Sequence, residues 1–463
     1  MQRQIVFLLI ALAFLIPGHS QSQQVDTEPM LVHLTTEQKL WPIYLIPFID
    51  KNSGFESSYI SKLEKVLQFD LSHNGFTQIV PSSPQKARLS NASDFNDFGK
   101  AAEWSSNGVS FVVKVEIKEK KITAKILQAA SNSIKAIDTL PLTGNLNQDR
   151  RQIHLIADTI QTALLGTEGI ASTRILYTFK YPVASQPKPE WLSEIWEMDY
   201  DGGNMRKISD DSSGYCITPC HLPAKSGFQS AAFLYVSYKN GQPKIFMAPL
   251  KEGAAVRLNY LRGNQLMPTV SRQRDKIAFI SDIAGNPDLF IQEFSPETGP
   301  IGKPRQIFTA RGATQGTPTF SPDGKQIAFV SNKDGSPRIY LLTIPAAETK
   351  LKEVKPRLIT HANRESTAPC WSPDGTRLAY CARHGSERQI WIYDFSTDEE
   401  WQLTSGTGDK ENPSWASNSL HLTYNTTGKN NADLYIININ QRIPEKISVG
   451  NGEKRFPSWE PRN

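Results

Sequence analysis

Apolar runs separated by a polar turn are clearest over residues 317–331, where they predict a β-hairpin. Ser321-Pro-Asp-Gly324 supplies the turn, because proline presets φ, aspartate bonds nearby backbone N–H groups and glycine accepts positive φ. Apolar, β-prone runs lie on both sides of this turn and twice more downstream. They predict a four-stranded unit with strands at 318–320, 327–330, 339–342 and 357–360.

The same unit recurs through the C-terminal half of the chain. The proline that opens its first strand returns every 44 to 51 residues, close to the blade length of a β-propeller. The second-strand aromatic and the third-strand apolar–aromatic pair also occur six times each, so the sequence predicts six blades. The prolines are Pro219, Pro268, Pro318, Pro369, Pro413 and Pro457.

The two ends of this repeat do not match. Pro457 has no hairpin after it, whereas the second-strand aromatic Tyr177 has no first-strand proline before it in the right register. We therefore predict that residues 455–459 supply the missing strand of the first blade and close the ring, which protects sheet edges from pairing with other chains. We expect the repeated aromatics to pack between blades, since burying one large apolar side chain stabilises by roughly 1.5–3 kcal/mol.

Residues 30–168 have a different pattern, in which strands alternate with helices. The spacing of their apolar residues predicts helices over 59–73, 98–105 and 149–165, and strands at 42–48, 76–80, 110–117, 121–127 and 134–140. The predicted fold is a small N-terminal α/β domain over residues 30–168. An all-β six-bladed β-propeller over 169–463 follows it, closed by the C-terminal strand.

The first 20 residues are typical of a secretory signal peptide. They contain the basic Arg3, an apolar run over 5–16, and small residues before a predicted cleavage between Ser20 and Gln21. A retained membrane anchor is the alternative, although twelve apolar residues are too few to span a bilayer. Residues 21–29 are polar and lack apolar periodicity, so we expect a flexible N-terminal peptide.

Charge and cysteine content narrow the function further. A formal net charge of +5 over 463 residues, without a concentrated basic face, does not favour nucleic-acid binding.

Export permits disulfides, and four cysteines allow three pairings. Cys216 with Cys220 and Cys370 with Cys381 is the simplest, although residues four apart on one strand are too distant to join. His221, beside two of these thiols, fits packing better than a metal site.

Motifs that carry catalysis are missing from the sequence. A propeller-containing serine peptidase needs a G-x-S-x-G nucleophile elbow, and this pentapeptide does not occur. The H-E-x-x-H and G-x-x-x-x-G-K-[ST] motifs do not occur either. The sequence therefore predicts no catalytic, cofactor-binding or metal-binding residues. A serine peptidase-like protein and a generic sugar- or peptide-binding propeller are the alternatives to a protein-docking module.

Several stretches resemble the TolB family, whose members are periplasmic components of the Tol-Pal system of Gram-negative envelopes. They are the first core strand at 42–48, the junction at 169–177, the blade turns at 321–324 and 372–375, and the closing strand at 456–459. The resemblance implies a non-enzymatic periplasmic adaptor, monomeric within a multiprotein envelope complex. Its propeller would dock the lipoprotein Pal and residues 21–29 would engage TolA, supporting outer-membrane integrity and constriction during cell division.

The resemblance also implies where a partner binds. The family's partner-binding residues lie on the propeller face formed by loops that precede the first strands. The matching positions, four residues before each first-strand proline, are Tyr215, Asn264, Thr314, Glu365, Asp409 and Glu453. Arg262, Arg311, Arg364, Lys410 and Lys454 lie nearby in the sequence. An ordinary solvated loop is the alternative for each of these positions.

Overall fold

The structure is a computed structural model that describes residues 39–183, 190–210, 214–428 and 431–462. The predicted signal peptide, its cleavage between Ser20 and Gln21, and the predicted flexible peptide 21–29 lie outside the described residues. Within these ranges, no helix combines the length and the apolar character needed to cross a bilayer.

The α/β part contains one sheet with the strand order β3-β1-β4-β5-β6, and β2 pairs with β4. All strands and helices that the apolar pattern predicts are present, whereas β2 and the short α2 were not predicted. The elements are β1 (Trp41–Leu45), β2 (Ile49–Lys51), α1 (Ser57–Ser72), β3 (Thr77–Ile79), α2 (Pro84–Ala87), α3 (Ala101–Ser106), β4 (Phe111–Lys118), β5 (Lys121–Gln128), β6 (Ser133–Pro141) and α4 (Leu146–Leu165).

Helix α4 begins and ends where its sequence provides caps. The Asn145 side chain accepts from the N–H groups of Asn147 and Gln148, and Gly166 ends the helix in the left-handed conformation. Ile153, Ile156 and other apolar residues on one face of α4 are buried in a core that also includes Tyr177 and Trp459 of the propeller. The helix therefore packs on both parts of the chain.

The remaining chain forms six four-stranded sheets, as predicted. We call the first strand of each unit its inner strand. The first three blades contain β7 (Arg174–Val183), β8 (Glu190–Asp199) and β9 (Arg206–Lys207); β10 (Cys216–His221), β11 (Ala232–Ser237), β12 (Lys244–Pro249) and β13 (Val256–Arg257); and β14 (Gln265–Val270), β15 (Lys276–Ser281), β16 (Asp288–Ser295) and β17 (Gly299–Phe308).

The other three blades have the same arrangement. They contain β18 (Gln315–Phe320), β19 (Gln326–Ser331), β20 (Arg338–Thr343) and β21 (Arg357–Leu358), with a 3-10 helix at Leu351–Glu353; β22 (Ser366–Trp371), β23 (Arg377–His384), β24 (Glu387–Asp394) and β25 (Glu399–Gln402); and β26 (Asp409–Trp415), β27 (His421–Thr427), β28 (Leu434–Asn438) and β29 (Glu445–Lys446). The last strand is β30 (Glu453–Trp459).

The C-terminal strand closes the ring, which confirms the prediction from the displaced proline series. β30 pairs antiparallel with β7, with Trp459 opposite Ile175 and Glu453 opposite Lys180. It is the inner strand of blade 1, whose strand order is β30-β7-β8-β9. Trp459 is buried, and its indole N–H donates to Thr173 Oγ1 at 2.8 Å.

The repeated second-strand aromatics pack between blades, also as predicted. Each of them is at most 2% exposed, so none presents a free surface to a ligand. They are Tyr177, Tyr235, Phe279, Phe329, Tyr380 and Tyr424.

Blade turns keep one geometry even where the sequence motif is lost. In the Ser321–Gly324 turn, Gly324 has φ +68°, and a Cβ there would lie 2.5 Å from Gln273 Oε1. In the divergent turns, Arg274 and Ser419 have φ of 64° and 55°. The shared backbone conformation therefore comes from the hairpin itself, and glycine is its least strained solution.

Candidate docking surface

All six inner strands begin at the same edge of the propeller, which we call the rim. Each predicted partner-binding residue immediately precedes an inner strand or is its first residue. The structure therefore places these residues around one face, while their role in binding stays a prediction. They are Tyr215, Asn264, Thr314, Glu365, Asp409 and Glu453.

Two rim residues are held by side chains that directly follow a second strand. The Asn264 backbone N–H donates to Asp282 Oδ1 at 2.6 Å, and its amide Nδ2 donates to Asp282 Oδ2 at 2.7 Å. The Thr314 N–H donates to Asn332 Oδ1 at 2.7 Å. These bonds join the two loops of a blade that reach the rim, so the loop conformation is fixed before any partner arrives.

A charged sector of the rim is formed by blades 5 and 6. Arg383 Nε donates to Glu365 Oε2 at 2.8 Å, and both side chains are about 40% exposed. The Arg388 N–H donates to Asp409 Oδ1 at 2.8 Å, and Arg388 Nη1 lies 3.1 Å from Glu411. Exposed pairs contribute only about 0–1 kcal/mol to stability, so these groups can be used for recognition at low cost.

Blade 1 joins this charged sector to exposed aromatic residues. Lys180 Nζ lies 3.8 Å from Glu453 Oε1 on the neighbouring inner strand. The same ammonium lies 4.9 Å from the centre of the Trp191 ring. Trp191 is 44% exposed.

An aromatic sector continues from blade 1 into the loops that flank blade 2. Tyr215 and Tyr238 meet edge to face with ring centres 5.0 Å apart. Tyr260, in the loop before β14, is 82% exposed, and its ring lies 4.9 Å from the Arg257 guanidinium carbon. Tyrosine is a residue type enriched in protein interfaces.

The cations predicted near the rim differ in exposure. Lys410 and Lys454 are buried, and Lys410 Nζ donates to the carbonyls of residues 406–408 at 2.6–2.9 Å. Both lysines therefore support rim loops from inside and do not present charge to a partner. The exposed cations of the set are Arg262, Arg311 and Arg364.

A central channel opens between the inner strands, with a volume of about 190 Å³ at the level of the six prolines. The residue before each proline has φ between 35° and 55°, and the strand pairing shifts register there. This repeated bulge bends each inner strand beside the channel. The six residues are Thr218, Met267, Thr317, Ala368, Asn412 and Phe456.

None of the four cysteines is in a disulfide, so the predicted pairings are not present. Cys370 is opposite Ala379 and Cys381 is opposite Thr367, which places the two thiols at different rungs of the hairpin. Cys216 and Cys220 lie on the same strand. Burial raises the pKa of Cys220 and Cys381 to about 12 and that of Cys370 to about 11, so these groups stay as thiols.

His221 packs between blades, which agrees with the interpretation favoured from the sequence. Its ring is 3% exposed, and its Nδ1 lies 3.2 Å from Ser458 Oγ on the closing strand. Burial lowers the pKa of His221 to about 4, so the ring is neutral near pH 7.

A buried polar cluster between the α/β part and blade 1 was not identified from the sequence. His154 on α4 contacts Asp70 of α1 and faces Asp199 and Asp201 at the end of β8. Burial by itself would lower the pKa of His154, but the charge and hydrogen bond of Asp70 and the nearby carboxylates of Asp199 and Asp201 outweigh it and raise this pKa to about 10. The available signal was a histidine on the apolar face of a predicted helix, between Ile153 and Ile156.

Comparisons with known proteins agree with this architecture. The family described as the TolB beta propeller domain matches residues 162–463. The chain is 52% identical over 408 residues to a TolB homolog of Protochlamydia amoebophila, covering 88% of this chain and 86% of that protein. It is 37% identical over 400 residues to a TolB homolog of Chlamydia caviae, covering 86% and 85%.

The crystal structure of TolB from Acinetobacter baumannii superposes with a TM-score of 0.72, covering 92% of this chain and 98% of that one. Its sequence identity is 21%, so this likeness concerns the fold. The two TolB homologs are much more similar in sequence and span most of both chains, so they show family membership as well as a shared fold. The chain belongs to the TolB family.

Proposed function

We propose that this chain is a non-enzymatic periplasmic adaptor of the Tol-Pal system. In this proposal the propeller rim docks the outer-membrane lipoprotein Pal, and residues 21–29 engage TolA. The protein acts as a monomer within a multiprotein envelope complex that keeps the outer membrane intact and constricts it during division. Family membership supports the general role, and we further propose a division at residues 168 and 169 between the α/β domain and the propeller.

The observation that carries the docking proposal is the composition of the rim. An aromatic sector around Tyr260 adjoins a charged sector around Glu365 and Asp409, on loops that hydrogen bonds hold in place. Exposed tyrosine and tryptophan side chains are frequent centres of binding energy in interfaces. Surrounding charges favour the correct orientation and speed association. Such a surface fits a folded protein domain better than a small ligand.

The first experiment compares two exposed aromatics on opposite faces. Tyr260 lies on the rim, whereas Phe228, 71% exposed, lies in the loop between β10 and β11 at the other end of the inner strands. We expect Tyr260→Ala to weaken binding of the soluble domain of Pal at least tenfold, about 1.4 kcal/mol, by titration calorimetry. Phe228→Ala leaves the affinity unchanged. Equal affinities for Tyr260→Ala and the wild type contradict docking at the aromatic sector.

A second experiment reverses charges in the charged sector. Glu365→Lys combined with Asp409→Lys is expected to lower the association rate and the affinity for Pal. The matched control is Glu348→Lys with Glu353→Lys, two exposed acids in the loop between β20 and β21 on the opposite face. Undiminished Pal affinity in the rim variant counts against the charged sector.

The roles of the N-terminal segment have separate tests. Mass measurement of the exported protein is expected to give a chain that starts at Gln21. A chain without residues 21–29 is expected to lose TolA binding and to keep Pal binding. Retained TolA binding in this deletion rejects the assignment of TolA to these residues and leaves the rim proposal standing.

A further inference from the structure

His154 lies where α4 contacts blade 1, and its ring is 1% exposed. Nδ1 donates to Asp70 Oδ2 at 2.9 Å, whereas Nε2 has no hydrogen-bond partner among the residues that the structure describes. Nε2 faces Asp199 Oδ2 at 3.7 Å and Asp201 Oδ1 at 3.8 Å. These distances exceed the roughly 2.7–3.2 Å of a hydrogen bond, so the three atoms surround a small space.

We propose that His154 Nε2 and the carboxylates of Asp199 and Asp201 bind one divalent transition-metal ion of the zinc type. One ligand atom from each residue lies within 4.8 Å of the other two. Ligands about 2.0–2.2 Å from a tetrahedral zinc ion are about 3.3–3.5 Å apart, a few tenths of an ångström less than the two distances from His154 Nε2 to the carboxylates. A small inward shift of the side chains therefore completes three coordination positions.

The surroundings of His154 are those of a metal-binding imidazole. A histidine that binds a metal through one nitrogen usually donates from the other to a carboxylate, which fixes the tautomer and the ring orientation. Asp70 provides this carboxylate, and it also accepts a hydrogen bond from the Tyr200 hydroxyl at 2.8 Å. Because the pKa of His154 is raised to about 10, Nε2 of the metal-free chain carries a proton near pH 7. Metal binding would release this proton to solvent, and the Nε2 lone pair would then be directed towards Asp199 and Asp201.

The ligand types select the class of metal. Calcium and magnesium prefer six or more oxygen ligands, whereas an imidazole nitrogen with two carboxylates suits zinc and similar ions. Arg150 binds Asp201 Oδ2, which leaves Oδ1 directed towards His154 with one hydrogen bond from the Gly203 N–H at 3.0 Å. Asp199 Oδ2 already accepts a hydrogen bond from Asn204 Nδ2 at 2.5 Å and lies 4.0 Å from Arg150 Nε, so a bound ion would share this oxygen with them.

A route for the ion and room for a fourth ligand are also present. A cavity of about 230 Å³ is lined by His154 and Asp199, by the polar side chains of Gln152, Ser172 and Gln229, and by the cationic Arg151 and Arg174. A water molecule entering this cavity can occupy the remaining coordination position.

The bound ion would join two segments of the chain directly, and a third through the hydrogen bond between Asp70 and His154. Asp70 belongs to α1, His154 to α4, and Asp199 and Asp201 to the end of β8 and the following turn. Binding to the folded chain alone stabilises it by mass action, so the ion would hold the α/β part against blade 1.

The test uses the untagged chain of residues 21–463, stripped of metal with a chelator. We expect it to bind one equivalent of Zn²⁺, or of Co²⁺ with a visible d–d spectrum typical of tetrahedral coordination. X-ray absorption of the zinc form is expected to show one imidazole nitrogen and oxygen ligands, without sulfur. Because this measurement uses the wild-type protein, it stands even if a variant fails to fold.

Variants then locate the ion. Asp70→Asn is expected to weaken zinc binding about 10- to 100-fold, the usual effect of removing a carboxylate behind a ligating imidazole. Asp199→Asn and Asp201→Asn are expected to weaken it at least as much. The matched control His361→Gln, which removes an exposed histidine, leaves zinc binding unchanged.

Three results would overturn the proposal. The wild-type chain binds neither ion, in which case the second proton of an imidazolium occupies the space. Sulfur appears among the zinc ligands, which places the ion at a cysteine. Binding persists undiminished in Asp199→Asn and Asp201→Asn, which places it elsewhere.

Discussion

Arg174 Nη2 lies 3.0 Å from Glu460 Oε1, and this ion pair joins the start of β7 to the residue after β30. Glu460 is 1% exposed and also accepts from the Arg174 N–H at 3.1 Å and the Ser230 N–H at 3.0 Å. Arg174 has a second partner, Glu197, at 2.9 Å. The seam at which the propeller closes therefore contains a charged network as well as strand pairing.

Removing one charge from this network should weaken the whole propeller. Glu460→Gln is expected to reduce the free energy of unfolding by about 3 kcal/mol, because breaking a buried pair leaves Arg174 partly uncompensated. Urea denaturation followed by tryptophan fluorescence measures the change. Glu445→Gln, an exposed acid on β29, serves as the control and is expected to stay within about 0.5 kcal/mol of wild type. Equal losses of unfolding free energy in the two variants would show that the ion pair at the seam contributes no more than an exposed acid.

The same pair should make stability depend on pH. Burial by itself would raise the pKa of Glu460, but the Arg174 charge and hydrogen bonds outweigh it and lower this pKa below its usual value. The contribution is therefore present above the unfolded pKa of about 4.3 and is lost as pH falls through the lower folded pKa. The stability difference between wild type and Glu460→Gln is expected to narrow below about pH 4. A difference that stays constant or widens on acidification contradicts this assignment.

Trp459 should contribute more to stability than an exposed tryptophan. Trp459→Ala removes a buried ring and its hydrogen bond to Thr173, so a loss of about 3–5 kcal/mol is expected. Trp191→Ala is the control, since that ring is 44% exposed. Thermal and urea unfolding of both variants provide the measurement. A Trp459→Ala protein as stable as Trp191→Ala would contradict closure through β30.

Gly202 lies where a turn of blade 1 approaches blade 6. It has φ +86°, and a Cβ would lie 1.8 Å from the carbonyl oxygen of Ile447. Gly202→Ala therefore combines backbone strain with a collision. Gly241→Ala is the matched control, since Gly241 has φ +78° with nothing within 4 Å of its Cβ position. We expect about 1–2 kcal/mol of destabilisation for the control and clearly more for Gly202→Ala in urea denaturation. Similar losses would show that the close approach to Ile447 is relaxed in solution.

The number of cysteines outside disulfides can be counted directly. We expect a thiol reagent to titrate four thiols per chain in denaturant without any reductant. In the native protein, labelling is expected to be slow, because burial raises the pKa of Cys220, Cys370 and Cys381 to about 11–12. Two thiols or none in the denatured protein would mean that one or two disulfides form.

Repetition made most of the fold predictable. A weak sequence pattern in one blade can be interpreted by comparison with the other five blades. The hairpins around Pro268 and Pro413 were therefore located although their turns lack the Ser-Pro-Asp-Gly sequence. The helices of the α/β part were predicted because their buried faces recur at helical spacing, as in 59–73. Strand β2 (Ile49–Lys51) was missed because three residues carry no detectable period.

The rim was predictable in position but not in character. The six first-strand prolines place Tyr215 to Glu453 at one edge, since equivalent positions of a repeat lie on one face. Nothing in the sequence separates Lys410, whose ammonium the carbonyls of residues 406–408 enclose, from the exposed Arg364. Side-chain exposure depends on how neighbouring loops fold over each group.

The sequence by itself determined the propeller, its six blades, and its closure by residues near Trp459, because each rests on local periodicity and on a count of strands. Only the tertiary structure decided that His154, Asp70, Asp199 and Asp201 meet, since these residues come from three segments up to 131 positions apart. No local pattern records such a meeting. The four residues meet when α4 packs on blade 1, and their burial beside one another shifts the pKa of His154.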